Sequence, residues 1–135
     1  MELRHGIDLV DVARFSSDYI SESEGFNHMC FSKNEVSTAG EFNTSERLAG
    51  WFAVKEATLK ALRFGHSNGL ALNEIEVFHD EFGCPFIHLI GQCAELAREI
   101  GITTWHVSIS HCGGIAMASV IGIVTNQQKA NQEVQ

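Results

Sequence analysis

Apolar and polar residues alternate over residues 4–10, Arg-His-Gly-Ile-Asp-Leu-Val, with Ile7 and Leu9 on one face and Gly6, Asp8 and Val10 on the other. This period of two predicts a strand. Val12, Phe15 and Tyr19 then recur at helical spacing over 11–20, with Asp11 placed to cap the start and Arg14 on the exposed side. Polar Ser21–Gly25 interrupts the pattern. Phe31-Ser32-Lys33-Asn34-Glu35 carries a capping box, Ser32 as N-cap and Glu35 three residues on, which opens a short helix over 33–39 ending near Gly40. The strongest helical pattern runs from about Ser45 to Phe64, where Leu48, Phe52, Leu59 and Leu62 share one stripe.

A loop with Gly65 and Gly69 leads to a hairpin, Glu74–Asp80 and Phe86–Ile90 around Phe82-Gly83-Cys84-Pro85. Gly91–Ile100 suits a short helix with Cys93, Leu96 and Ile100 inward. Thr104–His111 and Ile115–Val124 form a second hairpin around Cys112-Gly113-Gly114. The last strand, almost wholly apolar, is expected at the centre of a sheet and covered on both faces. The order predicts an α+β fold: a mainly antiparallel sheet, a long central helix, and shorter helices packed on it. One domain is expected over 1–124, and the polar, aperiodic stretch 125–135 is expected to be a disordered tail.

Composition narrows the function classes. With 44% hydrophobic and 19% charged residues the chain is ordinary globular material. Its net charge of -8 argues against nucleic acid and membrane surfaces as partners, since both attract clustered Lys and Arg. No apolar run approaches the roughly 20 residues of a membrane span, and the start lacks a signal-peptide layout, so a cytoplasmic setting is expected. Cys30, Cys84, Cys93 and Cys112 lack zinc-type spacing and read as buried free thiols, and no histidine pair has the spacing of a zinc site.

Four charged residues stand out against this background. Lys55 falls at about 340° on a wheel with Leu48 at zero, inside the apolar stripe. Either its stem snorkels to an edge or an anion sits beside it. Glu56 lies at about 80°, at the border of the stripe, with Lys60 one turn on, an arrangement that also suits a plain surface pair. Asp8 occupies a strand, where aspartate is depleted, although an edge Asp more often serves a turn. Together the four supply two carboxylates for a hard cation such as magnesium and two ammonium groups for phosphate oxygens. His111 shares the face of Val107 and Ile109, either satisfied by backbone or binding phosphate or adenine.

Gly6-Ile7-Asp8-Leu9, the run Arg47-Leu48-Ala49-Gly50-Trp51-Phe52-Ala53-Val54-Lys55-Glu56-Ala57-Thr58-Leu59-Lys60-Ala61-Leu62, and His106-Val107-Ser108-Ile109-Ser110-His111 resemble holo-(acyl carrier protein) synthase. Phe31-Ser32-Lys33-Asn34-Glu35, Ile75-Glu76-Val77 and Gly83-Cys84-Pro85 match its other landmarks. The resemblance implies a 4′-phosphopantetheinyl transferase of the short, single-domain type, working with magnesium as a homotrimer with coenzyme A between subunits. Its acceptor would be an acyl carrier protein of the kind used in fatty acid biosynthesis and other lipid metabolism. It implies metal binding by Asp8 and Glu56, catalytic roles for Glu56, Lys60 and Lys55, and coenzyme A contacts from Lys60, His111, Ser108, Ser110, Trp51 and Arg47. Arg14 matches a residue on which the family docks the carrier.

The chain departs from the family along the nucleotide side of the site, and its first helix is poor in basic residues beyond Arg14, which leaves the choice of carrier open. Trp51 replaces an arginine that contacts the nucleotide 3′-phosphate, a contact left to His66, Arg47 or indole stacking on adenine. Arg63-Phe64-Gly65-His66 replaces a Gly-Thr-Gly loop, and Cys84 a lysine. The altered phosphate end keeps alive a homologue that binds carrier or nucleotide without transfer. A magnesium-dependent phosphohydrolase is a third reading of the same acids.

Overall fold

The computed structural model describes residues 1–21, 29–39, 44–63 and 70–125. Strand β1 (Glu2–Asp11) leads into α1 (Val12–Ser21), α2 (Lys33–Ala39) and the long α3 (Thr44–Ala61). A hairpin of β2 (Ile75–His79) and β3 (Pro85–Leu89) follows, then α4 (Gly91–Ile100), β4 (Ile102–Cys112) and β5 (Ile115–Val124). The strands form two antiparallel sheets, one ordered β1-β5-β4 and the other the β2-β3 hairpin. The α+β expectation is met, with the strand pairs divided between two sheets. No helix among the described residues is long and apolar enough to cross a membrane.

Local chemistry explains most boundaries. Asp11 Oδ1 accepts from the Arg14 amide at 3.0 Å, capping α1. The capping box closes in both directions: Glu35 N donates to Ser32 Oγ at 3.2 Å and Ser32 N donates to Glu35 Oε1 at 2.9 Å. Gly113 and Gly114, at φ 57° and 78°, supply the two left-handed residues that a tight β4-β5 turn requires. The Glu74 carboxylate accepts from the Cys93 amide at 3.0 Å, an anion at the N-terminus of α4.

Two expectations are corrected. The long helix does not bury a single stripe. Leu48, Ala49, Trp51, Ala53, Val54, Ala57, Thr58, Leu59, Ala61 and Leu62 are all buried, because the helix is covered on several sides. It also stops at Ala61, short of Phe64, where Arg63 turns left-handed at φ 60°. Strand β5 is central, yet only its inner residues Ala116, Ala118, Val120, Gly122 and Val124 are buried. Its other face, with Met117, Ile121 and Ile123, stays half-open beside Leu3, Ile7 and Leu9 of β1, which are 55%, 50% and 65% exposed.

Of the cysteines, Cys30 and Cys93 are buried and Cys84 and Cys112 exposed, so the expected burial holds for two. Residues 22–28, 40–43, 64–69 and 126–135 lie outside the described part. With them go the expected Ser21–Gly25 break beyond its first residue, the Gly40 stop, the Gly65–Gly69 loop with His66, and the tail beyond Thr125.

Candidate active site

β1 crosses α3 so closely that a Cβ on Gly6 would lie 1.8 Å from the Ala57 carbonyl oxygen. Only glycine allows this approach, and it delivers Asp8, two residues on and on the same face, to the next helical turn. There Lys60 Nζ donates to Asp8 Oδ1 at 3.0 Å and to the Ile7 carbonyl at 2.9 Å. Asp8 and Glu56, distant in sequence, line one open depression of about 510 Å³ together with Asp11, Arg14, Asp18 and Phe52. Four carboxylates against one guanidinium make its walls acidic, which favours a cation. Among the described residues no three His, Cys, Asp or Glu side chains gather into a ready-made metal cage. A pair of carboxylates still fits magnesium, which takes one or two from protein and fills its shell with water and phosphate.

Lys55 has a different surrounding from the one expected of a catalytic cation. Its ammonium is fully buried and donates to Glu35 Oε1 at 2.8 Å, to the Leu72 carbonyl at 3.1 Å and to the Ile75 carbonyl. Glu35 Oε2 in turn accepts from the Val77 amide at 3.0 Å. Of the two alternatives for Lys55, the anionic partner is correct, and the anion is Glu35. These bonds tie Lys55 to α2 and β2, away from the surface. Burial lowers its pKa, an effect that the Glu35 carboxylate opposes.

A second cavity of about 500 Å³ gathers Arg47, Gly50 and Trp51 of α3, His79 and Gly83 of the hairpin, and Ile109 and His111 of β4. Gly50 makes room for it: a Cβ there would sit 3.1 Å from His111 Nε2 and 3.2 Å from Ile109 Cγ2. His111 Nε2 lies 3.3 Å from the Glu46 carbonyl and its Nδ1 3.9 Å from the Glu46 carboxylate. The Trp51 indole is 2% exposed, so it offers little open face for stacking on a base. Its N–H donates to His79 Nε2 at 2.9 Å, and the Arg47 guanidinium lies over its ring at 5.8 Å. Of the three replacements considered for the arginine, Arg47 lines this cavity, and His66 lies outside the described residues.

Ser108 and Ser110 do not join it. On a strand they point opposite to His111, and they lie exposed across from Ser119 and Met117 on the outer sheet face. Arg14 lines the acidic depression. Sequence reasoning did not single out Glu35 as the partner of Lys55, nor His79 as a cavity residue. The inward lysine called for an anion, and the capping box already marked Glu35. No spacing signal connects His79 to Trp51, because they meet only through the packing of the hairpin on α3.

Residues 4–120 match the family model of the 4′-phosphopantetheinyl transferase superfamily. Over 117 residues the chain is 38% identical to the holo-[acyl-carrier-protein] synthase of an Escherichia coli strain, covering 86% of this chain and 93% of that one. Its fold is similar to the Chronobacterium ammoniagenes ACPS-CoA complex, with a TM-score of 0.81 at 29% identity over 93% of this chain and 99% of the other. It is also similar to Helicobacter pylori holo-[acyl-carrier-protein] synthase in complex with coenzyme A, with a TM-score of 0.78 at 30% identity over 88% and 99%. With its long helix and both candidate cavities inside the matched span, the chain belongs to the 4′-phosphopantetheinyl transferase superfamily, in its holo-(acyl carrier protein) synthase family.

Proposed function

We propose that this chain transfers the 4′-phosphopantetheine arm of coenzyme A to a serine of an apo acyl carrier protein, releasing adenosine 3′,5′-bisphosphate. The observation that carries the reading is that Asp8, held by Lys60 where β1 crosses α3, lines one depression with Glu56, inside a chain of this family. Asp8 and Glu56 would hold magnesium, which neutralises charge on the pyrophosphate when bound. Glu56 accepts the proton of the attacking serine hydroxyl as its oxygen bonds to the β-phosphorus and the bond to the nucleotide phosphate breaks. Lys60, already turned toward Asp8, steadies phosphate oxygens, and Arg47 and His111 receive the nucleotide end. Such a reaction needs positioning and charge neutralisation more than covalent participation.

Lys55 then acts from inside the protein, fixing α3 so that the neighbouring Glu56 keeps its place. Arg14 greets the carrier beside the metal end. The two cavities are separate on one chain, and the outer sheet face exposes Leu3, Ile7 and Leu9, which supports association of copies through that face; that the assembly is a homotrimer is what the family resemblance implies. Ser108 and Ser110, on that outer face, enter the site through such a neighbour. A cytoplasmic setting, which keeps thiols reduced, suits the four free cysteines. The test is to incubate the chain with magnesium, coenzyme A and several apo carriers and weigh the carriers. Addition of phosphopantetheine is expected; no addition to any of them favours the alternative raised by Trp51, a homologue that binds without transfer.

A further inference from the structure

Trp51 stands where the family carries an arginine, and its surroundings form a continuous chain of contacts. An indole N–H can only donate, so His79 Nε2, 2.9 Å away, must accept and carry no proton. The neutral ring therefore holds its proton on Nδ1, which lies 3.1 Å from the Gly83 carbonyl, an acceptor only. Gly83 is itself held: its amide donates to the Asp80 carbonyl at 3.0 Å, and its φ of 80° suits glycine. Asp80 Oδ1 accepts from the Phe82 and Cys84 amides, each at 2.9 Å, which fixes the turn on both sides of Gly83. At the other end the Arg47 guanidinium rests over the Trp51 ring at 5.8 Å, within reach of cation–π attraction. Both ends of the chain line the cavity that also holds His111.

We propose that His79 is a positioning residue for coenzyme A: as the Nδ1–H tautomer it ties the Trp51 indole to the β2-β3 turn, and the indole holds the Arg47 guanidinium against the nucleotide phosphates. This rests on the reading that the cavity takes the nucleotide end of coenzyme A. An arginine one turn earlier on α3 thereby supplies the cation that Trp51 removes. The guanidinium is planar and stacks on an aromatic face, which orients its donors for phosphate in a way a free side chain does not achieve. Fixing it before the ligand arrives reduces the ordering cost of binding.

The test uses the full chain. In the unliganded protein, long-range ¹H–¹⁵N spectra of the imidazoles are expected to show His79 protonated at Nδ1 alone, with its signals shifted in Trp51→Phe. A proton on Nε2 overturns the proposal. In steady-state kinetics, His79→Gln keeps an acceptor at the Nε2 position, whereas His79→Asn keeps only the group at Nδ1. His79→Asn is expected to raise the KM for coenzyme A about five- to tenfold, the scale of one neutral hydrogen bond, with kcat within about twofold. His79→Gln is expected to recover most of that loss. An unchanged KM in His79→Asn, a loss confined to kcat, or equal damage in both variants overturns it. Calorimetry of the wild-type chain with coenzyme A separates the two readings: no binding there defeats the proposed function, and binding unaffected by His79→Asn defeats His79 alone.

Discussion

Glu35→Gln isolates what the buried ion pair contributes. Glu35 accepts from Lys55 Nζ at 2.8 Å, from the Ser32 amide at 2.9 Å and from the Val77 amide at 3.0 Å, so one carboxylate joins α2, α3 and β2. The amide removes the charge, places a donor against these donors, and leaves a fully buried ammonium with carbonyl oxygens only. Breaking one side of such a pair costs about 3–5 kcal/mol. A domain of this kind is stable by about 5–15 kcal/mol, and with a urea m-value of about 2 kcal/mol per molar the midpoint falls by about 2 M. Lys55→Met should lose a similar amount, since the Leu72 and Ile75 carbonyls forfeit their donor.

The double variant should lose less than the sum of the singles, with a coupling above about 1 kcal/mol. The pH dependence has a definite sign. Burial holds the Lys55 pKa below its ordinary 10.5, so the protonated lysine costs the folded state, and the cost is relieved as pH rises from the lowered pKa toward 10.5. Losing Glu35 lowers that pKa further, so stability rises more steeply with pH in Glu35→Gln, and its gap from wild type narrows. Urea titrations at two pH values measure this. A midpoint shift below about 0.3 M, or strictly additive singles, would refute the reasoning. Where Lys55→Met is folded it should keep kcat within about tenfold, against the 100-fold or greater loss expected of a direct catalytic group.

Asp8→Asn and Glu56→Gln should each lower kcat at least about 100-fold, and Asp8→Asn should leave the melting temperature little changed, because the Lys60–Asp8 pair is half-exposed and contributes about 1 kcal/mol or less; carrier mass and thermal melts check both. Arg47→Gln should weaken coenzyme A about tenfold while leaving 3′-dephospho-coenzyme A within about twofold, read by calorimetry. Above pH 9 the two buried thiols should destabilise the fold, outweighing as a pair the single-proton gain from Lys55: burial lifts Cys30 to about 11 and Cys93 to about 12 from 9.0, so the unfolded chain releases these protons first. The fall in urea midpoint between about pH 8 and about pH 10 should be smaller in Cys93→Ala. Ile7→Asp, on the outer sheet face, should lower the sedimentation mass toward that of one chain; an unchanged mass would count against association through that face.

Much of the fold was legible because local rules and global packing agree. The α4 and β5 boundaries emerged from periodicity alone, and the capping box at Ser32 and Glu35 from two residue types three apart. The long helix was legible in place but not in surroundings. Its small residues Ala49, Ala53 and Ala57 admit neighbours on faces that a hydrophobic stripe does not mark.

By itself the sequence determined the order of elements, the inward lysine, and which acids belong to one chemistry through their resemblance to a family. Tertiary structure decided what each side chain meets. Gly6 lets β1 sit on the α3 backbone and so brings Asp8 to Lys60 and beside Glu56, a distance that no count of residues contains. Packing likewise gave Lys55 to Glu35 and Trp51 to His79, because a buried charge or donor is satisfied by whatever partner the fold places within about 3 Å, wherever it lies in the chain.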